Sequence, residues 1–157
     1  MSRTDWRSLP KEEKQKFYAE LASELTPHKR ALFEEKILYR TRHISLALED
    51  MMKTQNASAL MRTADAFGVH RIDVYDKNER FNVSSGISKG VEKWLDVSFF
   101  NTYNDGGVET WAQQLKSTGK KLYVTALDPK AKPLHELDPT VPAVLCFGNE
   151  QVGASKE

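Results

Sequence analysis

Asn56-Ala57-Ser58-Ala59-Leu60-Met61-Arg62-Thr63-Ala64-Asp65-Ala66-Phe67-Gly68 is the stretch that decides the fold. It follows a strand-like run, Ile44-Ser45-Leu46-Ala47-Leu48-Glu49-Asp50, and reads as a helix with a polar amide in its first turn and an arginine in its second. Gly68 stands where a helix C-cap is expected. A strand feeding a helix through a polar loop brings backbone N–H groups and side chains to the carboxyl edge of a sheet. In open α/β proteins ligands bind at that edge. An arginine there can engage a phosphate or a developing oxyanion.

Outward from this stretch, strands and helices alternate. Strands are expected at Ile44–Glu49, Arg71–Tyr75, Leu95–Phe99, Lys121–Ala126 and Val141–Phe147, with helices at Ala57–Phe67, Ser88–Trp94 and Gly107–Ser117. Several of the strands are near-continuous apolar runs, as when both sheet faces are covered. The fold class is therefore α/β, a mostly parallel sheet flanked by helices and joined by right-handed crossovers. Leu127–Pro142 is a long proline-containing connection with one short turn around Leu134–Leu137, and His135 within it reads as a surface residue.

Before the sheet lies a helical extension. Ser8, Pro10, Glu12 and Glu13 mark a helix start, and Phe17, Leu21 and Leu25 form its apolar stripe. Pro27 interrupts it, and a second helix runs from about His28 to Tyr39. Residues 1–40 thus form a basic helical extension and residues 41–157 the main domain.

The chain has 157 residues and a net charge of +1. The charge is uneven: Met1–His43 holds 10 Lys/Arg against 7 Asp/Glu, and the remainder 13 against 15. The excess gathers at Arg3, Arg7, Lys11, Lys14 and Lys16, then at His28, Lys29 and Arg30, then at Arg40, Arg42 and His43. Such a segment can meet a nucleic-acid backbone, or can simply be a solvated helix pair of mixed charge. The single cysteine, Cys146, lies in an apolar run and reads as an inert core residue. It excludes an intramolecular disulfide and a Cys-based zinc site, and fits a reducing cytoplasm. No apolar run approaches the roughly 20 residues of a membrane span, and the N-terminus is too charged for a signal peptide.

The second informative stretch is Phe147-Gly148-Asn149-Glu150-Gln151-Val152-Gly153, after the last apolar strand. Two glycines bracket a carboxylate and two amides, a loop able to wrap a ligand. The alternative is a surface turn with Glu150 solvated. Gly-x-Gly-x-x-Gly, the phosphate loop, Gly-x-Ser-x-Gly and a His-rich metal cluster are all missing. Dehydrogenase, P-loop NTPase, serine hydrolase and zinc enzyme drop out, and no metal is expected.

Together, Asn56-x-x-Ala59-x-x-Arg62-Thr63-Ala64-Asp65-Ala66-x-Gly68 and Phe147-Gly148-Asn149-Glu150-x-x-Gly153 resemble the SpoU branch of the SPOUT RNA methyltransferases, in particular the TrmH-type tRNA (guanosine-2′-O-)-methyltransferases. Gly86-Ile87-Ser88-Lys89-Gly90 with Lys93-Trp94, and Tyr123-Val124-Thr125-Ala126-Leu127, extend the likeness, which runs from about Arg40 to Glu157.

The resemblance implies a trefoil-knotted α/β fold, a homodimer, S-adenosylmethionine as methyl donor and the ribose 2′-hydroxyl of a guanosine in tRNA as acceptor. It implies that Arg62 activates the hydroxyl, that Asn56 positions substrate and supports Arg62, and that Glu150 completes the active site. Thr125, Ala126, Leu127 and Gly148 would line the donor pocket, and Arg40, Arg42, His43, Lys89 and Lys93 would contact RNA. The family's third motif has no counterpart before Glu157. The domain is therefore expected to be truncated ahead of that motif, with the knot incomplete. Ribosomal RNA methylation and a non-catalytic RNA-binding fragment are the alternative readings.

A guanidinium essentially never deprotonates in proteins, so Arg62 is expected to stabilise the developing oxyanion rather than act as base. The competing reading of Arg62 is an ion pair with Asp65, one helical turn on.

Overall fold

The strand preceding the Asn56 helix becomes the middle of the sheet. In the computed structural model residues 9–78, 81–101 and 105–155 are described. The Ser8 cap and the basic residues Arg3 and Arg7 lie outside them. The chain divides into two units, Met1–Tyr39 and Arg40–Glu157.

The first unit holds helices α1 (Lys11–Ser23) and α2 (Pro27–Ile37). Pro27 does not merely interrupt α1. It occupies the first position of α2, where its missing N–H costs nothing, and Thr26 caps that helix by accepting from the Lys29 N–H at 3.4 Å. Tyr18 of α1 donates to Glu34 of α2 at 3.2 Å, and Arg30 pairs with the same carboxylate at 2.9 Å.

The second unit is a five-stranded sheet in which every neighbouring pair is parallel. Its strands are β1 (Ile44–Glu49), β2 (Arg71–Asp76), β3 (Asp96–Asn101), β4 (Lys121–Val124) and β5 (Ala143–Phe147), in the order β3-β2-β1-β5-β4. Leu46 stands beside Ile72 on one side and Leu145 on the other. β1 is buried from Ser45 to Glu49, as its unbroken apolar run requires of a central parallel strand.

Alternation along the strands sends side chains to two cores. Leu46, Leu48, Ile72 and Val74 pack with Ala57, Met61 and Ala64 of helix α3 (Thr54–Ala66). Ala47, Tyr75, Phe100, Val144 and Cys146 pack with Trp111 and Leu115 of a helix here named α5 (Val108–Ser117). The buried face of α3 is made of small residues plus Met61, which lets the helix lie close to the sheet. Gly68, at φ 72°, ends α3: its N–H bonds to Asp65 O at 3.1 Å and that of Val69 to Ala64 O at 2.8 Å. This is the paired C-terminal arrangement a left-handed glycine permits.

Several boundaries differ from the sequence expectation, most by one or two residues and three in ways that bear on the site. α3 begins at Thr54, three residues before the expected Ala57, and Asn56 lies within its first turn as read. The helix expected at Ser88–Trp94 is replaced by α4 (Ser85–Ser88) and a 3-10 turn, Val91–Lys93. Lys89 and Gly90, at φ 57° and 85°, break the helical path between them. β4 stops at Val124 because the chain then turns away, with only the Thr125 N–H still bonded to Cys146 O at 2.9 Å.

Candidate active site

Both informative stretches come together at the carboxyl edge of β1 and β5. β1 ends at Glu49, and Asp50 turns the chain with φ 47°, a left-handed conformation that Asp tolerates better than most residues. The Asp50 N–H donates to Tyr75 O, and Asn149 donates its side-chain amide to Asp50 O, each at 2.8 Å. Asn149 Oδ1 also accepts from the N–H groups of Gln151 (2.9 Å) and Val152 (3.2 Å), which shapes the loop after β5.

Glu150 is the fastening point. Its carboxylate accepts from the backbone N–H of Met52 (3.0 Å), the backbone N–H of Lys53 (3.0 Å) and Asn56 Nδ2 (3.1 Å). Lys53 is the N-cap of α3 and supplies no capping side chain of its own. Glu150, 97 residues away, bonds the N–H that a glutamate one turn into the helix bonds in a capping box. It also sets a negative charge at the positive end of the helix dipole. Burial pushes the Glu150 carboxyl up, but the hydrogen bonds from backbone N–H groups and from Asn56 outweigh it, and the group lies below its ordinary range. The alternative of a solvated Glu150 is set aside by these contacts.

Gly148 is a steric requirement. A Cβ there would meet Ala154 N at 2.1 Å and Gly153 C at 2.4 Å, because the loop folds back on the end of β5. Beside this loop opens a cleft of about 880 Å³ lined by Thr125, Ala126, Leu127, Asp128, Gly148 and Val152, among others. All four residues expected to bind the donor therefore share one cavity. Its apolar side chains and the carboxylates of Asp128 and Glu150 suit a nucleoside-sized ligand bearing a cationic end.

The two ends of α3's exposed surface diverge. Asn56 and Arg62 are six residues apart, about 240° around the helix. Asn56 faces the β5 loop and bonds Glu150, whereas exposed Arg62 reaches Ile87 O at 3.5 Å. The structure thus brings Asn56 to Glu150 and directs Arg62 toward α4. Arg62 does not pair with Asp65: that carboxylate takes Arg40 at 2.5 Å. Arg40 is accordingly part-buried and charge-matched. Arg42, Lys89 and Lys93 are exposed, and exposed His43 holds Pro139 O at 2.8 Å.

Sequence reasoning missed the backbone donors Met52 and Lys53 and the structural work of Asn149. It also missed Glu49, an acid closing an apolar strand, which was the available signal. Cys146 is buried as expected, its thiol pushed up to about 12 by burial with the Glu49 charge adding. Among the described residues no group of acids, His and Cys is placed to hold a metal ion, and no helix is long and apolar enough to cross a membrane.

A parallel α/β sheet with a cleft at its carboxyl edge and an exposed arginine on α3 has the layout of the open-sheet ligand-binding class. Residues 43–157 match the SpoU rRNA Methylase family, and the chain belongs to that family. It is 33% identical over 137 residues to a protein of Thermus thermophilus named tRNA (guanosine(18)-2′-O)-methyltransferase, which covers 85% of this chain and 66% of the relative. Proteins of the same name from Borreliella burgdorferi and Escherichia coli K12 are 29% and 28% identical, covering 87% and 85% of this chain and 61% and 56% of their own lengths. The chain thus spans about three-fifths of the length of the curated relatives it matches. Among solved structures, the TrmH/SpoU tRNA modifying enzyme of A. aeolicus superposes with a TM-score of 0.71 at 26% identity, over 82% of this chain and 64% of that one. The fold is therefore the TrmH/SpoU one.

Proposed function

We propose that the protein transfers a methyl group from S-adenosylmethionine to the ribose 2′-hydroxyl of a guanosine in tRNA. The observation that carries this reading is the Glu150 junction, which joins the first-helix stretch to the glycine loop beside the cleft. The names of the relatives supply the substrate class.

The donor would supply an electrophilic methyl group on a sulfonium. Thr125, Ala126, Leu127 and Gly148 would hold it in the cleft, with Asp128 near its cationic end. Arg62 is exposed and free to swing from Ile87 O toward an incoming ribose. A guanidinium brought there stabilises negative charge as it develops on the 2′-oxygen, and the proton leaves to phosphate or water. Glu150 and Asn56 act on the reaction by holding the α3 N-terminus against the loop, a positioning role.

Arg42, Lys89 and Lys93, with the helices of residues 1–40, would neutralise tRNA phosphates. The working form would be a cytoplasmic homodimer, as the family resemblance implies.

The test is ribose-methylation mapping on tRNA and rRNA transcripts with the wild type and Arg62→Ala. Arg62→Ala is expected to methylate on the order of 100- to 1,000-fold more slowly with tRNA affinity kept. A normal rate in that variant overturns the role given to Arg62, and wild-type methylation of rRNA alone overturns the substrate.

A further inference from the structure

Glu49 is a buried carboxylate that the active-site reading leaves without a task. It is 7% exposed, at the end of the central strand, on the α5 face of the sheet. Its Oε1 accepts the backbone N–H of Ser155 at 2.9 Å and the Ser155 hydroxyl as well. Its surroundings are otherwise mostly apolar, among them Trp111, Leu122, Val124 and Cys146. A carboxylate is costly to keep in such a place unless its bonds are needed.

Ser155 is the far end of the glycine loop, and both it and Glu150 belong to the wall of the 880 Å³ cleft. The loop is therefore tied at two points by carboxylates running in opposite directions, once to the α3 N-terminus and once to β1. Glu150 reaches from the loop to the α3 N-terminus, and Glu49 reaches from β1 to the loop's end. Between these anchors the loop must fold back tightly enough to bring Ala154 N against Gly148.

We propose that Glu49 is a positioning residue for the donor pocket, fixing the loop's exit at Ser155 so that the cleft wall keeps its shape. This rests on the reading of the cleft as the donor site. Glu49 touches neither donor nor RNA. Releasing it frees the Val152–Ser155 end of the loop, while the Glu150 junction and the basic surface stay in place.

Three variants test this: Glu49→Ala, Glu49→Gln and Ser155→Ala. Calorimetric titration with S-adenosylmethionine, tRNA binding and amide hydrogen exchange are measured on each. Glu49→Ala is expected to weaken donor binding at least about tenfold, as for loss of hydrogen bonds to a charged acceptor. Glu49→Gln keeps a carbonyl oxygen for both Ser155 donors and restores affinity to within about threefold. Ser155→Ala, which loses one of the two bonds, falls between them. tRNA affinity stays level throughout, and exchange quickens at Val152–Ser155 in Glu49→Ala.

Donor affinity unchanged in a folded Glu49→Ala overturns the proposal. Should Glu49→Ala fail to fold, the other two decide, and Ser155→Ala binding donor like the wild type overturns it. A wild type that binds no S-adenosylmethionine defeats the donor-site reading instead. The exchange data then judge the tether alone, and unchanged exchange at Val152–Ser155 overturns it.

Discussion

The two edges of the sheet manage charge in opposite ways. At the amino edge Arg71 sits between two carboxylates, bonding Asp73 and, at 3.0 Å, Asp96, a part-buried cluster of two acids whose second balancing charge is Lys120. Lys120 lies nearby, bonding Ser45 Oγ at 3.1 Å. At the carboxyl edge, among the described residues, the carboxylates of Glu49 and Glu150 make no ion pair, although Lys116 lines the same cavity as Glu49. They are held by backbone N–H groups, an amide and a hydroxyl, while Arg62 is left exposed. An edge that neutralises its own charges is a structural clamp. An edge that binds its anions with neutral donors keeps its cations available to a ligand.

The sharpest way to break this contrast is Gly148→Ala. The added methyl collides with Ala154 N, and overpacking against backbone costs about 3 kcal/mol or more. Urea denaturation should show the loss, and donor titration should show no saturable binding.

Next comes Arg71→Ala, which strands two part-buried aspartates. The arginine is 27% exposed, so the cost should fall below that of a fully buried pair, at about 1–3 kcal/mol. Donor affinity should stay within error, since the clamp and the ligand edge are separate.

A smaller effect concerns pH. Glu150 has a lowered pKa in the fold, so its contribution to stability is present above the unfolded carboxyl pKa, about 4.3, and is lost as pH falls through the folded value. Glu150→Gln should be less stable at pH 7 and should lose less stability than the wild type on acidification, read by thermal melts between pH 3 and pH 7. Equal pH slopes would show the carboxylate is not held as described.

The smallest effect is on salt dependence. Lys89→Ala and Lys93→Ala should each lower the slope of log affinity for tRNA against log salt by about 1. Arg40→Ala should change stability more than that slope, because Asp65 already takes its charge.

The sheet was legible because β1 and β5 are near-continuous apolar runs and because α3 carries its pattern to a glycine stop. The segment around Lys89 was not. Its helix is ended by a lysine in the left-handed region, which nothing in its residue type announces. At the site, Asn56, Glu150 and Gly148 were named from the two stretches, and Thr125, Ala126 and Leu127 from the Tyr123–Leu127 likeness; the four expected liners do share one cleft. Their partnership was misjudged, since Asn56 holds Glu150 and not Arg62. The reason is helical phase: six residues put Asn56 and Arg62 about 240° apart on α3, so the two side chains meet different neighbours. Bonds made by backbone N–H groups, as at Met52, Lys53 and Ser155, leave no mark on residue identity at all.

Ser58 carries one more consequence. This wholly enclosed hydroxyl in α3 donates to Thr54 O at 2.6 Å and accepts the Ser84 N–H at 2.8 Å. Ile87, where Arg62 lands, is three residues beyond Ser84. One oxygen atom thus gauges the gap between the arginine's helix and its perch, much as a spacer sets the throw of a lever. Replacing it with a bare methyl would orphan an amide and let that gap drift, so the reach of the guanidinium is set from underneath, by an atom no substrate ever meets.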